Sequence, residues 1–412
     1  MATLKGIGYL RNKLALKRTR VELRYQFYEM KNFVRDFGIS SPDWLTNYSS
    51  VVGWCAKAVD SLSDRVVFRK FEDDNFYMNE IFNLNNPDVL FDSAIKSALI
   101  SSCSFVYISK DGSGYPRLQV IDGGNATGII DPITGLLQEG YAVLERDEFG
   151  VPKIEAYFEP FKTTVFYIGQ NQNDVYDHNV AYPLLVPIIN NPDAKRPFGH
   201  SAISRACMSI VESACRTIKR SEISAEFYSF PQKYIIGTDP DAERLEKWRV
   251  SISSLLEITS TQDGDKPTIG QFTQQSMQPH NDQLKMFASL FAGETGLTLD
   301  DLGFATDNPS SAEAIASAHE NLRLRAKKCQ RTFGSGFLNV GFLACCLRDD
   351  TTYQRSVIYK TRPKFEPVFA PDNSTLSLIG DAAIKINQAV PNYFTAENLR
   401  DLTGIESEQD ES

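Results

Sequence analysis

Chemistry in this 412-residue chain would have to come from four histidines, seven cysteines and 52 acidic residues, so their spacing is read first. His178, His200, His280 and His319 are isolated, and none stands in an H-E-x-x-H frame that would put two imidazoles on one helix face around zinc. The cysteines (Cys55, Cys103, Cys207, Cys215, Cys329, Cys345 and Cys346) are odd in number and scattered through apolar patterns. That suits buried free thiols in a reducing compartment better than disulfides. Cys345 and Cys346 are adjacent on a predicted helix and so point to different faces, which defeats a shared metal. No G-x-x-x-x-G-K-[ST] loop cradles a triphosphate, no G-x-G-x-x-G holds a dinucleotide, and no G-x-S-x-G elbow presents a serine. The acid pairs Asp73–Asp74, Asp300–Asp301 and Asp349–Asp350 read as solvated surface rather than as a glycosidase dyad, because adjacent acids arise by chance in so acidic a chain. The Asn-x-Ser/Thr matches at Asn47 and Asn125 carry no weight without secretion. The survey points away from catalysis, and no cofactor or metal site is expected.

The elements that would position any site are easier to read. Val51, Val52, Cys55, Val59 and Leu62 fall at helical spacing, residues 65–71 read as a strand, and a second apolar helix is predicted over about 88–102. From Cys103 to Ile168 the period changes to two, with Asp/Gly/Pro turns at 110–116, 131–135 and 147–150, so this region should be a run of antiparallel strands. A long helix is expected from near Ser201, capped by Ser201 or His200, with Ile203, Cys207, Ile210, Ala214, Ile218, Ala225 and Tyr228 on one stripe and Pro231 ending it. A small α/β unit follows: strand KYIIG, a helix capped at Asp239, and strand TIGQFT. Leu284, Phe287 and Phe291 then mark a helix over about 278–293. The stretch TGLTLDDLGFATDNPSS reads as a loop, in which Asn308 or Ser310 would cap the next helix with Glu313 at capping-box spacing from Ser310. The longest periodic segment runs from Ile315 to Leu347, with Gly334, Gly336 and Gly341 inside it marking a bend or a close contact. Residues 351–371 should return to strand and Pro-spaced linker, and two short helices precede an acidic tail, SEQDES.

Composition sets the class. With 42% hydrophobic and 23% charged residues the chain is an ordinary folded protein, no window approaches the ~20 apolar residues of a membrane helix, and the basic start lacks the apolar core of a secretory signal. The net charge is −9, which excludes a whole-surface nucleic-acid binder but not a protein that lets DNA slide past. Residues 1–35 carry nine Lys/Arg and two Glu, leaving −16 on the remainder; this basic segment is either an exposed arm or, preferably, a surface helix. Two long helices that leave a body, carry a small module and return make a stalk. Its apolar stripes would be covered by copies standing side by side in a ring.

At this point the residues resemble a family, the portal proteins of tailed bacteriophages. NYSSVVGWCAKAVDSLSDRVVF is similar to the family's early wing helix and strand, and VPIINNPDAKRPFGHSAIS to the approach to its first stem helix. GLTLDDLGFATDNPSSAEAIASAHENLRLRAKKCQRTFG resembles the helix end, tunnel loop, Asn-Pro-x-Ser-Ala-Glu-Ala turn and long wing helix; GDAAIKINQAVPNYFTAENLRDLTGI resembles the crown helices. The four pieces occur in the family's order and spacing. The resemblance implies an α+β portal fold: wing (residues 1–200), first stem helix (201–229), small α/β clip (230–276), second stem helix (277–296), tunnel loop (297–310), wing again with the long helix and a strand (311–372), and a short helical crown (373–412).

It further implies a homo-oligomeric ring of twelve copies at the capsid vertex of the virion, assembled in the host cytoplasm. Double-stranded DNA would pass through it without sequence specificity, pumped in by the terminase large subunit and later ejected. The other partners would be the head–tail adaptor and the major capsid and scaffold proteins; no membrane is involved. The tunnel-loop candidates are Asp300, Asp301, Phe304, Asp307 and Asn308, and the channel-facing stem candidates are Arg216, Lys219, Arg220 and Lys285. Arg205 is a further basic residue on these helices, and inter-subunit ion pairs are an equal reading for all of them. Asp241, Glu243, Trp248 and Arg249 of the clip would touch terminase and then the adaptor. The short crown puts its gripping of packaged DNA in doubt. A conduit should not bind phosphates tightly, since each neutralised phosphate adds affinity and therefore friction. Acidic loop residues fit that, as does an acidic chain; the same acids could equally cap the next helix and solvate a turn. On this reading, removing residues 300–308 should spare the ring and impair packaging. The competing readings are a capsid- or scaffold-associated binding protein that forms no ring and, remotely, an acid-dependent hydrolase.

Overall fold

A computed structural model of the chain describes residues 4–35, 50–170, 172–229, 233–236, 268–271, 276–304, 317–358, 360–369, 371 and 373–405. The chain divides into two compact units, one made of 1–32, 53–208 and 291–412, the other of 33–52 and 209–290.

In the first unit the basic N-terminal segment is a packed helix, α1 (Ile7–Tyr28). Its Leu10 and Leu14 are buried against Tyr141, Val143 and Tyr157 of a five-stranded antiparallel meander. The strands are β4 (Ala126–Ile130), β5 (Leu137–Arg146), β6 (Pro152–Glu159), β7 (Lys162–Tyr167) and β8 (Gln172–Asp177), paired in sequence order. Full burial of such a leucine stabilises by about 2 kcal/mol. Two buried glutamates fasten the helix to the sheet. Glu139 accepts the backbone N–H groups of Lys5 (3.0 Å) and Gly6 (3.1 Å) and the Tyr157 hydroxyl (2.9 Å). Glu155 accepts from the Arg11 guanidinium and from the Tyr141 hydroxyl (2.7 Å). Burial, and then donation to these carboxylates, pushes both tyrosine pKa values up.

The expected turns share one device. Asp111, Asp131 and Asp147 each accept the N–H two residues on, and Gly114, Gly135 and Gly150 close the loops at positive φ, which a residue with a Cβ rarely adopts. The first of these loops joins β2 (Cys103–Lys110) to β3 (Pro116–Ile121) in a three-stranded sheet completed by β9 (Leu185–Ile189), in the order β3-β2-β9.

Behind that sheet lie α2 (Trp54–Ser63), α3 (Met78–Asn83), α4 (Pro87–Ser101) and the longest helix, α7 (Glu320–Arg348). A cluster of phenylalanines joins the last three of these helices, with ring centroids of Phe91 at 4.1 Å from Phe68, 5.1 Å from Phe82 and 4.7 Å from Phe337. The three glycines of α7 mark close approaches rather than helix ends. A Cβ on Gly334 would stand 2.7 Å from the Pro363 ring, one on Gly336 2.8 Å from Ile188 Cδ1, and one on Gly341 2.9 Å from Met78 Sδ. The expected strand over 65–71 is shifted to β1 (Phe68–Glu72), because α2 closes with Val66 N–H on the Ser63 carbonyl. Most of the strand expected after Thr351 is instead a 3-10 turn, Arg355–Ile358, followed by a short β12 (Arg362–Phe365) antiparallel to β1. Helices α8 (Asn373–Ala389) and α9 (Ala396–Thr403) match the two short helices expected at the end.

Helix α5 (Arg205–Ser229) begins four residues later than the sequence suggests. The Ser201 hydroxyl is taken up by the Ile100 carbonyl (2.6 Å), whereas Ser204 Oγ accepts the N–H of Cys207 (3.1 Å) and is the true cap.

In the second unit, α5 from residue 209 onward lies beside α6 (Gln278–Thr295) up to residue 290. Thr217 donates to Gln283 Oε1 (3.2 Å) and Ser224 meets His280 Nε2 (3.4 Å), so the two helices run antiparallel. Between them in sequence, β10 (Lys233–Ile236) pairs antiparallel with β11 (Thr268–Gln271), the two strands expected for the small α/β unit. The helix expected between those strands, at 239–257, lies outside the described residues.

Candidate functional site

The end of α6 and the start of α7 frame the segment that the sequence marks for a moving polyanion. The first frame is a reciprocal cap. Thr298 N–H donates to Asp301 Oδ2 (2.9 Å), and Asp301 N–H donates to Thr298 Oγ1 (3.2 Å). This is a capping box opening the 3-10 turn Asp300–Leu302. The spacing Thr298-x-x-Asp301 is legible in the sequence, yet the box expected there was Ser310–Glu313, which lies outside the described residues. Gly296 (φ 78°) and Gly303 (φ 90°) bracket the turn in the left-handed region, and Leu297 and Leu302 are buried.

The second frame comes from elements distant in sequence. Trp54 of α2 packs on Phe291 at 5.7 Å between centroids. Arg325 of α7 donates through Nη2 to the Glu294 carbonyl (2.6 Å), a cation satisfying the open carbonyls at a helix C-terminus. His319, the residue before α7, places Nδ1 3.7 Å from Asp301 Oδ2, and its ring faces Phe369 at 6.0 Å. Burial would raise the Asp301 pKa. The two hydrogen bonds from Thr298, with the charges of His319 and Lys57, outweigh it and hold the carboxyl below the ordinary aspartate range. Both ends of the segment 305–316 are thereby tied down within one unit.

Asp301 is thus inward, a structural residue as well as an acid, while Asp300 is exposed and Phe304 half-buried. Asp307 and Asn308 lie outside the described residues, as do Asp241, Glu243, Trp248 and Arg249. Arg216, Lys219 and Arg220 share one face of α5 at i, i+3, i+4 spacing. Lys219 is buried within its own chain, Arg216 lies 3.8 Å from Glu212, and Lys285 on α6 is the exposed one of the four channel-facing candidates. Sequence reasoning missed Trp54, Lys57, His319 and Arg325 as members of the frame; only their contacts identify them.

All seven cysteines are buried, and none is joined in a disulfide. Among the described residues no group of three or more His, Cys, Asp or Glu is placed to hold a metal ion, and no helix is long and apolar enough to cross a membrane.

Comparison with known proteins places these features. Two curated relatives, the portal proteins of Mycobacterium phage L5 and Mycobacterium phage D29, are each 22% identical over 330 residues, covering 76% of this chain and 68% of theirs. Among solved structures, the chain is similar to one from the neck of a native gene transfer agent particle computed with C12 symmetry (14% identity, TM-score 0.47). It is also similar to one from the virion of the native particle (12% identity, TM-score 0.44). Each match covers 86% of this chain and 90% of the other. The family described as "Phage portal protein, SPP1 Gp6-like" matches residues 7–410. Spanning all but the first six and last two residues, that match shows that the chain belongs to the SPP1 Gp6-like phage portal proteins.

Proposed function

We propose that twelve copies of this chain form a ring at the capsid vertex, and that double-stranded DNA enters and leaves the capsid through its channel. The single observation that carries the reading is the family match along nearly the whole chain. The framed segment 305–316 supports it. A segment whose flanks are tied by a capping box, a buried leucine and the approach of His319 to Asp301 can reach into a channel without loosening the wing that holds it. The acidic balance of the chain supports passage over gripping, because a wall poor in free cations neutralises few phosphates. The protein itself performs no reaction on this reading; force comes from the terminase large subunit, which docks on residues 230–276 before the head–tail adaptor takes its place there. Residues 241, 243, 248 and 249 are the proposed contacts there, and the wing is the proposed face for capsid and scaffold proteins.

Electron microscopy of the purified chain should show rings with a central hole; a protein that stays monomeric under assembly conditions overturns the reading. The loop is tested by deleting residues 305–308, which spares Asp301 and Leu302. Rings should form normally while packaged DNA per capsid falls severalfold. The wider deletion, 300–308, removes the buried Leu302 and the capping box and is expected to damage the wing as well.

A further inference from the structure

The strongest unexplained feature of the first unit is a cavity of about 1060 Å³ whose wall is built from α1, the segment 190–205 and the start of α7. Arg20 and Arg24 reach it from α1, Arg196 and Arg205 from the segment before and at the start of α5, and Arg325 and Lys328 from α7. Lys17 completes the wall from α1, lying over the rings of Phe105 and Phe198. Among the described residues one carboxylate, Glu294, lines the cavity with these seven cations, and it accepts from Ser204 Oγ (2.8 Å).

Elsewhere in this acidic chain several bases find acids. Arg11 pairs with Glu155, Arg18 with Glu22, Lys153 with Glu145 and Arg323 with Glu320. Among the described residues none of the seven cavity cations makes such a pair. Arg325 donates to a carbonyl, Lys328 to the Asn191 amide oxygen, and Arg196 lies 3.4 Å from His200 Nδ1. Burial, then the neighbouring charges of Arg196 and Arg20, pulls the Arg24 pKa down. Like charges gathered in a concave, partly desolvated wall repel one another, and that cost is recovered only when an anion fills the space.

We infer that this cavity is a socket for a carboxylate-bearing segment of a second copy of the chain, and so part of the contact that closes the ring. The inference rests on the ring reading. Three observations select this occupant. Charge is complementary: the cavity gathers seven cations, and a neighbouring copy of a chain with 52 acids and 43 bases brings carboxylates within reach. Size is selective: a cavity of about 1060 Å³ admits side chains or an extended segment, whereas a whole duplex is too bulky to enter it. Chemistry matches, because guanidinium forks pair bidentately with carboxylates. In a head-to-tail ring every socket meets the same face of the next copy, so one complementary pair is repeated at each contact.

The test uses assembled full-length protein made from mixed unlabelled and 15N-labelled chains. A carbodiimide couples lysine amines to carboxylates in direct contact. Cross-linked peptides joining Lys17 or Lys328 to an Asp or Glu should appear with mixed isotopes, which marks them as between copies. The double variant Arg24→Glu, Arg205→Glu should lower the assembled fraction at least tenfold at a concentration where the parent is fully assembled, with an unchanged protomer melting curve. Arg24→Lys, Arg205→Lys should retain most of the assembly. If lysine cross-links occur within single copies only, or the charge-reversed protein assembles as the parent does, the inference is overturned. Undiminished rings that lose affinity for a labelled DNA duplex would reassign the cavity to nucleic acid. A parent chain that never forms rings would sink the proposed function itself, a result distinct from any of these.

Discussion

Arg11 and Glu155 stand 144 residues apart and share a charge-assisted hydrogen bond, Nε to Oε2 at 3.0 Å, across the face where α1 meets the five-stranded sheet. Glu155 is buried and Arg11 nearly half exposed, so the carboxylate is the member that cannot be left alone. Stranding it or its partner hydroxyl costs more than the pair contributes, since a buried polar group without a partner bears its full desolvation penalty.

Glu155→Ala should therefore destabilise the protein by about 2 kcal/mol, the range for a hydrogen-bonded charge. Arg11→Ala should cost less than Glu155→Ala does if water reaches the carboxylate in its place. Denaturant titration of the protomers measures both, and equal stability of Glu155→Ala and parent would refute the role of this pair. Limited proteolysis should release α1 first in the weakened variant.

Asp301 gives a pH dependence with a definite sign. Its folded pKa lies below the ordinary aspartate value of about 3.9, so its contribution is complete above that pH and is lost as pH falls through the lower folded value. Hydrogen-exchange protection at residues 298–304 should fall in acid while that of α6 holds. In Asp301→Asn the amide oxygen still accepts from Thr298 but carries no charge, so exchange there should be faster at pH 7 and the acid-dependent increment should vanish. An increment that persists in the variant assigns the effect to another group.

The glycines of α7 separate two kinds of crowding. In Gly334→Ala the new methyl meets the rigid Pro363 ring at 2.7 Å and Phe365 at 3.1 Å, and the ring has no rotamer by which to escape. Overpacking of about 1–3 kcal/mol should exceed the ~1 kcal/mol gained in helix propensity, and the melting temperature should fall. In Gly336→Ala the nearest atom is Ile188 Cδ1, the mobile end of a side chain, so the two effects should nearly cancel. Equal melting temperatures for the two variants would contradict this distinction.

The seven buried thiols should resist modification. Burial pushes Cys329 and Cys345 up to about 12 and Cys215 up to about 11, leaving little thiolate at neutral pH. A thiol reagent at pH 7.5 should titrate fewer than one thiol per native chain within minutes and all seven in denaturant. Rapid native labelling would show that one of the elements carrying these thiols opens readily.

What the sequence determined alone is everything that depends on near neighbours. The Asp-to-Gly turns at 111–114, 131–135 and 147–150 are legible because each is closed by its own aspartate and its own glycine. The helical stripes and the paired strands 233–236 and 268–271 follow from period and punctuation, and the order of motifs carries the family resemblance. Where two local signals compete, as Ser201 and Ser204 do for the cap of α5, only packing decides, because the carbonyl of Ile100 claims one hydroxyl and leaves the other.

Tertiary structure alone decided the rest. The basic N-terminal segment could have been an arm; two glutamates on strands more than 130 residues away make it a packed helix. Asp301 could have faced a channel freely; His319 and Thr298 turn it into an anchor. The seven cavity cations come from three separated stretches, the first within the basic N-terminal segment, so their shared field exists only once those stretches are folded together. Backbone preference acts over a few residues and can be read along the chain. Burial and Coulomb energy act through space, and distance in space is set only when the fold closes.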